Sequence, residues 1–164
     1  MIVVMMGVQG SGKSTIGTLL AKKMDAAFAD GDDYHSAANK QKMASGQPLT
    51  DEDRQPWLET LNGVLKGWFG GAGKGVLACS ALKESYRKTL AAGMPEGSVK
   101  FVILEGSKEL FAERLAHRHH EFMNPKLLDS QFATLENPKD AIHAVNDRTP
   151  DEVVDGILGQ LQTS

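Results

Sequence analysis

The sequence predicts an α/β fold in which a parallel, five-stranded sheet lies between two layers of helices. Short apolar runs alternate along the chain with segments whose apolar residues recur at helical spacing, which is typical of a parallel sheet. The first run, residues 2–6, is continuously apolar and contains three β-branched residues. Such a run is expected of a strand that is buried on both faces.

The predicted strands and helices follow one another in a regular order. Strands are expected at residues 2–6, 26–29, 76–79, 101–104 and 141–145. Helices are expected after the first, third, fourth and fifth strands, and another begins near Thr50, because Thr50 and Asp53 resemble a capping box. The apolar residues that mark the core faces of these helices are Ile16, Leu19 and Leu20; Leu58, Leu61, Leu65 and Trp68; Leu82, Tyr86 and Leu90; Leu110, Phe111 and Leu115; and Val153, Val154, Ile157, Leu158 and Leu161.

One stretch, residues 118–138, interrupts this alternation. It is polar, is rich in histidine at its start and is closed by Asn137-Pro138. We interpret it as a mobile flap or lid rather than a linker, because a further strand and helix are predicted after it. A length of 164 residues suits one core, so residues 1–164 are expected to form a single domain.

Composition narrows the classes of protein to consider. The net charge is −3 and the sequence pI is about 5.9, and the absence of a basic stripe argues against a nucleic-acid binder. The apolar start of the chain is too short for a signal peptide or a membrane span, so no membrane association is expected. Cys79 is the only cysteine, which excludes an internal disulfide and favours a reducing compartment. A cytoplasmic location is therefore expected.

The most informative motif lies directly after the first strand. Residues 7–14, the phosphate loop, match G-x-x-x-x-G-K-[ST] between an apolar strand and a helical pattern, which is the context that this motif requires. Glycines let backbone N–H groups converge on phosphate oxygens at a helix N-terminus. Lys13 supplies a charge for the β- and γ-phosphates, and Ser14 a hydroxyl for Mg²⁺. The predicted nucleotide-binding residues are Gly7, Val8, Gln9, Gly10, Ser11, Gly12, Lys13, Ser14 and Thr15.

Two acids after the second strand indicate which kind of nucleotide-binding protein this is. An N-K-x-D segment, by which GTPases recognise guanine, does not occur. Asp30 and Asp32 instead follow a strand whose carboxyl end faces the ligand crevice. One acid could hold a Mg²⁺-bound water while the other accepts the proton of an attacking hydroxyl. The alternative is an acidic turn, in which Asp-Gly is common for backbone reasons alone.

Arg114 and Arg118 stand four residues apart on a predicted helix and so share one face. In a small kinase, one could stack on adenine and the other could meet the transferring phosphate; the alternative is a solvated basic face. The neighbouring histidines do not have the spacing of a structural zinc site, and we interpret them as solvated residues of the flap. They are His117, His119 and His120.

Beyond these motifs, the chain resembles the gluconokinases of the small P-loop, shikimate-kinase-like type. The resemblance covers nearly the whole chain, and its middle segments are more specific than the phosphate loop. The matching segments are Asp30-Gly31-Asp32 with His35, residues 42–51, Asp53-Arg54, residues 56–58, residues 78–83, Tyr86-Arg87, Leu127-Leu128, Ser130-Gln131-Phe132, Leu135-Glu136 and Pro138.

This resemblance implies a P-loop kinase fold, a three-layer α/β/α sandwich with a lid segment. It also implies ATP-dependent phosphorylation of D-gluconate at the 6-hydroxyl, with Mg²⁺. Asp32 would be the base and substrate anchor, Arg114 would stack on adenine, and Arg118 would be the lid arginine that meets phosphate. The implied site residues are Lys13, Asp32 and Arg118 for catalysis; Asp32, His35, Lys83 and Arg87 for the sugar acid; and Ser14 and Asp30 for the metal.

Several points stay open at this level. Where the family commonly has a His-Phe pair after the lid arginine, this chain has Glu121-Phe122, preceded by His120. The other functions to test are a kinase for a different small acid, such as shikimate, and a nucleotide-dependent binding protein without transfer activity. A homodimer is compatible with the resemblance. Three aromatic residues could lie in its interface or equally in the core: Trp57, Trp68 and Phe69.

Overall fold

A computed structural model describes residues 1–116 and 125–163, without the side chains of residues 125–127. Within these ranges five strands form one parallel sheet, in the order β2-β3-β1-β4-β5. This confirms the predicted fold class. The strands are β1 (Ile2–Met6), β2 (Ala27–Asp30), β3 (Gly75–Ala78), β4 (Val99–Glu105) and β5 (Ile142–Val145).

The described part of the chain contains seven α-helices, and a short 3-10 helix at Gly31–Tyr34 follows β2. On one side of the sheet α1 packs against α7, and on the other α3 packs against α4. The helices are α1 (Lys13–Met24), α2 (Ala37–Ala44), α3 (Asp51–Gly70), α4 (Glu84–Leu90), α5 (Lys108–Ala116), α6 (Pro125–Thr134) and α7 (Pro150–Thr163).

The central strand, β1, contributes to both cores. Its five side chains are completely buried, and they alternate between the two faces of the sheet because successive side chains of a strand point in opposite directions. Ile2, Val4 and Met6 pack with α3 and α4, whereas Val3 and Met5 pack with α1 and α7. Burial on both faces explains why this segment has no polar residue.

The longest helix, α3, begins as predicted. The Thr50 hydroxyl accepts a hydrogen bond from the Asp53 amide at 3.1 Å, and the Asp53 carboxylate accepts one from the Thr50 amide at 2.9 Å. This reciprocal pair satisfies two donors that a helix start leaves open. The capping box places the first turn of α3, which carries Asp51 and Arg54, against α4.

Other features differ from the sequence expectation. Helix α2 was not predicted, and α6 occupies part of the stretch interpreted as a flap. Leu82 is buried but precedes α4 rather than belonging to it. Arg118 and its neighbouring histidines lie outside the described residues.

The three aromatic residues considered for an interface have different environments. Trp57 is buried, and the Trp68 ring covers Gly75, where a Cβ would lie 2.2 Å from it. Phe69 is 43% exposed. Both tryptophans therefore pack within the chain. Among the described residues, no helix has both the length and the apolar character that crossing a bilayer requires.

Candidate active site

The phosphate loop connects β1 to α1 and is buried through residue 12. Gly12 caps α1 with φ of 93°, a left-handed conformation that favours glycine. A Cβ on Gly10 would lie 2.6 Å from the carbonyl oxygen of Phe111, so the backbone of α5 packs closely against the phosphate loop at this glycine. The backbone of the loop can approach a ligand closely because it carries so few side chains.

Two buried polar atoms in this loop have no hydrogen-bond partner among the described residues. They are Ser11 Oγ and Gln9 Oε1, in residues that are 0% and 5% exposed. Buried polar groups are nearly always paired in folded proteins. Of the two, the Ser11 hydroxyl can donate to a phosphate oxygen beside the helix N-terminus, whereas Gln9 Oε1 can only accept a hydrogen bond.

Lys13 and Ser14 occupy the first turn of α1. The Lys13 ammonium donates to the Val8 carbonyl at 3.1 Å, folding back over the loop. The Ser14 hydroxyl donates to Asp30 Oδ2 at 2.5 Å, which joins the phosphate loop to the end of β2. A hydroxyl and a carboxylate are hard oxygen ligands of the type that Mg²⁺ prefers. Within residues 1–116 and 125–163 no group of three or more His, Cys, Asp or Glu is suited to a metal. Mg²⁺ is usually bound by one or two protein groups together with substrate phosphates, and Ser14 and Asp30 are two such groups in contact.

The acids predicted after β2 both lie at this edge of the sheet. The Asp30 carboxylate accepts a hydrogen bond from the Asp32 amide at 3.0 Å and so caps the 3-10 helix that carries Asp32. Burial raises the pKa of the neighbouring Cys79 thiol to about 12, and Asp32, Lys13 and Asp30 act on it electrostatically as well. These three charged groups are therefore close enough to the end of β3 to act on Cys79, which itself stays a neutral thiol.

His35 follows the 3-10 helix and lies flat against Trp57, with ring centroids 4.0 Å apart and planes 16° apart. Burial, followed by the charges of Arg54 and Lys40, lowers the pKa of His35 to about 4, while Asp30 opposes this shift. His35 is thus neutral at physiological pH. Two charged residues influence it electrostatically: Asp30, which contacts the phosphate loop, and Arg54 on α3.

Its tautomer follows from hydrogen bonding. Asn39 Nδ2 donates to the Asp53 carbonyl at 3.0 Å, which fixes the orientation of the Asn39 amide. The same nitrogen lies 3.4 Å from His35 Nδ1, so Nδ1 is the acceptor and the proton is on Nε2. His35 therefore offers one neutral N–H donor.

A second group of charges connects α3 to α4. The Tyr86 hydroxyl donates to Asp51 at 2.5 Å and accepts from Arg54 at 2.9 Å. Lys83 binds the same carboxylate at 3.0 Å, and the hydrogen bond from Tyr86, followed by that from Lys83, lowers the pKa of Asp51. Both cations also lie over the Tyr86 ring, at 5.2 Å for Arg54 and 5.6 Å for Lys83. Lys83 thus binds the exposed Asp51 carboxylate directly, whereas Arg54 reaches the same cluster through the Tyr86 hydroxyl.

Arg87 has a different environment. Its guanidinium donates to the carbonyls of Ala81 and Leu82, each at 3.0 Å, and to that of Glu136. The residue is 8% exposed, and burial lowers its pKa. Arg87 thereby fastens the loop before α4, in which Ala81 has an unfavourable φ of 46°, to the chain that follows α6.

On the other side of the phosphate loop, Asn146 follows β5. The side-chain amide nitrogen of Asn146 donates a hydrogen bond to the Ser11 carbonyl at 2.6 Å. The backbone carbonyl of Asn146 accepts one from the Arg114 guanidinium at 2.7 Å. Arg114 therefore lies next to the phosphate loop, whereas Arg118 falls outside the described residues.

Sequence reasoning missed the roles of several residues: Asp51, Arg54, Tyr86, Gln131 and Asn146. For Asn146 a signal was available, because it directly follows a strand of a parallel sheet. A groove of about 670 Å³ lies at the amino ends of β4 and β5, lined by α4, including Arg87, and by residues 137–141.

Comparisons with known proteins agree with this geometry. The family model for shikimate kinase matches residues 9–162. The chain is 46% identical to a probable gluconokinase of Dictyostelium discoideum over 84% of this chain and 71% of that protein. It is 41% identical to a gluconokinase of Gluconobacter oxydans over 97% and 90% of the two chains.

Solved structures extend the likeness to three dimensions. A gluconokinase from Sinorhizobium meliloti superposes with a TM-score of 0.86 at 39% identity, covering 98% of this chain and 91% of that one. The shikimate kinase of Aquifex aeolicus, with a TM-score of 0.62 at 20% identity over 99% and 97% of the two chains, shares the fold. Phosphate loop, paired acids and full-length similarity together lead to one conclusion: this chain belongs to the gluconokinase family of shikimate-kinase-like P-loop kinases.

Proposed function

We propose that this protein catalyses the ATP-dependent phosphorylation of D-gluconate at its 6-hydroxyl, giving 6-phospho-D-gluconate. The observation that carries the proposal is the presence of an acidic group and a cationic group, with His35 influenced electrostatically by members of both. Asp30 and Asp32 lie at the end of β2 and Asp30 contacts the phosphate loop, whereas Arg54 and Lys83 lie over the Tyr86 ring between α3 and α4. D-gluconate has a carboxylate at one end and a primary hydroxyl at the other, which matches this arrangement.

The phosphate loop supplies the donor side of the reaction. Its backbone amides and Lys13 bind the β- and γ-phosphates of ATP, and Ser14 with Asp30 holds Mg²⁺. Bound Mg²⁺ neutralises charge on the phosphate oxygens. Arg114, held beside the loop by the Asn146 carbonyl, is the residue that stacks on adenine.

Asp32 and His35 act on the acceptor. We assign Asp32 as the group that orients the 6-hydroxyl and takes its proton, because it is half-buried at the phosphate-loop edge of the sheet. His35 donates from Nε2 to a sugar hydroxyl without adding charge. Little covalent chemistry is required of the protein, since positioning and charge neutralisation account for most of the catalysis in phosphoryl transfer.

Lys83 and Arg54 recognise the carboxylate. Charge-assisted hydrogen bonds from ammonium and guanidinium groups are the strong ones, and both cations converge on the Tyr86 ring. Arg87 takes part by holding the loop that carries Lys83, since three carbonyls bind its guanidinium. Arg118, assigned from the sequence alone, completes the set as the phosphate-contacting arginine.

The decisive experiment is a panel of acceptors, with ADP release as the rate and ³¹P NMR to locate the new phosphate. D-glucitol is the matched compound, because it keeps the open chain and replaces the carboxylate by a hydroxymethyl group. We expect D-gluconate to be phosphorylated at the terminal hydroxyl and D-glucitol to react roughly tenfold to a hundredfold more slowly, the usual value of a hydrogen bond to a charged group. Transfer to shikimate but not to D-gluconate would refute the proposed function.

A pair of variants tests the carboxylate assignment. Lys83→Met should raise KM for D-gluconate and reduce the preference over D-glucitol. Lys88→Met, on an exposed position of the same helix, is the control and should change neither. Equal preference in both variants would exclude Lys83 as a carboxylate ligand.

The assembly and location follow from the same proposal. We place the enzyme in the cytoplasm, where ATP is available and where a buried free cysteine such as Cys79 stays reduced. We also propose a homodimer, to be tested by light scattering, in which the 43% exposed Phe69 is the residue to replace first.

A further inference from the structure

The most informative contact that the proposed mechanism does not use joins α6 to the phosphate loop. Gln131 Oε1 accepts a hydrogen bond from the backbone N–H of Gln9 at 2.7 Å, across 122 residues of sequence. Gln9 is 5% exposed, so this amide has little access to water. A side chain from a distant helix thus satisfies a buried donor of the phosphate loop.

The other side of the same peptide bond contacts the catalytic lysine. The N–H of Gln9 and the carbonyl of Val8 belong to one planar, trans peptide unit, in which they point in opposite directions. The Val8 carbonyl accepts from Lys13 Nζ at 3.1 Å and from the Ser11 amide at 3.2 Å. Gln131 therefore holds one face of the unit while Lys13 and Ser11 bind the other.

The position of α6 does not depend on this hydrogen bond. Phe132 stacks on Phe111 of α5, with ring centroids 6.3 Å apart. Asp129 forms an ion pair with Lys108 of α5, and Leu128 is 3% exposed in the core. Because these contacts fix α6, the hydrogen bond of the Gln131 side-chain amide positions the phosphate loop and is not needed to position its own helix.

We propose that Gln131 is a positioning residue that fixes the Val8–Gln9 peptide plane and thereby aims the Val8 carbonyl at Lys13. Without an acceptor at this position, the buried Gln9 N–H is unsatisfied and the peptide plane can rotate. The Val8 carbonyl then no longer restrains Lys13, whose ammonium must lie at the β- and γ-phosphates. The expected consequence is weaker ATP binding with little change in the recognition of the acceptor.

Three variants test the proposal. Gln131→Met keeps the length and unbranched shape of the side chain but removes the acceptor, and Gln131→Glu retains an oxygen that can accept from Gln9. Gln160→Met makes the same replacement on an exposed position of α7 and is the control. The measurements are amide hydrogen exchange of Gln9 by NMR, binding of Mg-ATP by calorimetry without any acceptor, and thermal unfolding.

We expect Gln131→Met to speed exchange of the Gln9 amide and to weaken ATP binding, each about fivefold, the usual net value of one hydrogen bond. KM for D-gluconate should be unchanged. Gln131→Glu should restore protection of the Gln9 amide, and Gln160→Met should behave as the parent protein. Unchanged Gln9 exchange and ATP affinity in Gln131→Met, with or without a lower Tm, would overturn the proposal. Because the first two measurements omit the acceptor, their outcome is independent of whether D-gluconate is the substrate.

Discussion

Burial of His35 should make the stability of the fold depend on pH in a defined window. The imidazole is 8% exposed, lies flat on Trp57 and has a pKa of about 4 instead of 6.5. Desolvation is the main cause, and the charges of Arg54 and Lys40 add to it. The unfolded chain therefore takes up a proton below pH 6.5, whereas the folded protein does so only near pH 4.

The sign and size of the effect follow from proton linkage. Between pH 6.5 and 4 the unfolded state binds one more proton at this residue, so the free energy of unfolding falls as pH falls. The slope is about 1.4 kcal/mol per pH unit, and about 3 kcal/mol is lost over the whole window. Above pH 6.5 both states are neutral at His35 and the contribution is zero.

The assay is urea denaturation at half-unit steps from pH 7.5 to pH 4. His35→Phe removes the titrating group and keeps an aromatic ring on Trp57, so its profile should be flatter than that of the parent protein by the slope given above. Titrations of all other groups cancel in this difference. Parallel profiles for His35→Phe and the parent protein would refute the burial argument.

Two further predictions concern acids of the site and of helix α3. Asp32→Asn should lower kcat by about a hundredfold or more, the usual contribution of a positioned base, and leave ATP binding intact in a calorimetric titration; near-normal turnover would exclude Asp32 as the base. The hydrogen bond from Lys42, followed by that from the Thr50 amide, lowers the pKa of Asp53 to about 2. The folded protein therefore gains stability from the Asp53 carboxylate above pH 3.8 and loses it as pH falls towards 2. Thermal unfolding should accordingly show Asp53→Asn less stable than the parent protein at pH 7 and converging with it near pH 2; a constant difference would contradict the assignment.

Regular patterns made the sheet predictable. Each strand was expected within two residues of its observed bounds. Strands β1 and β3 are apolar and buried on both faces, as their sequences predict, whereas the edge strands β2 and β5 were located from short runs and are only partly buried. The start of α3 followed from Thr50 and Asp53 for an equally local reason, since a capping box is a contact between neighbours in sequence. Such signals depend on a few adjacent residues and are visible without the fold.

Helices α2 and α6 lacked a comparable signal. The apolar face of α2 has a single large buried residue, Met43, and its N-cap, Ser36, is followed by a polar segment. Helix α6 begins at a proline after a polar stretch, although Leu128 and Phe132 do have helical spacing. Tertiary packing on α5 selects the helix there, and that packing is not visible in the sequence of the segment itself.

In the candidate site, too, the sequence shows which residue types are present but not which partners they contact. The family resemblance implies that Arg87 lies around the sugar acid, and the structure adds that its guanidinium donates to three backbone carbonyls. Which acceptors use the five N–H groups of an arginine depends on the loops around it. Gln131 and Asn146 were missed as contacts of the phosphate loop for this reason, since each meets its partner from more than 120 residues away.

Strand order supports the proposal that the two substrates bind on opposite sides of the phosphate loop. Because β1 lies at the centre, the phosphate loop after it has β3 on one side and β4 on the other. The loop after β3 reaches it through the hydrogen bond from the Gly7 amide to the Ser80 carbonyl, and leads on to Lys83. The loop after β5 reaches it through Asn146, which also binds the Glu105 carbonyl at the end of β4. Ligands of such sheets bind at the carboxyl ends of the strands, where connections diverge to the two sides. Under the proposed function, the acceptor binds on the β2–β3 side and the nucleoside on the β4–β5 side, so that the transferred phosphate crosses above β1.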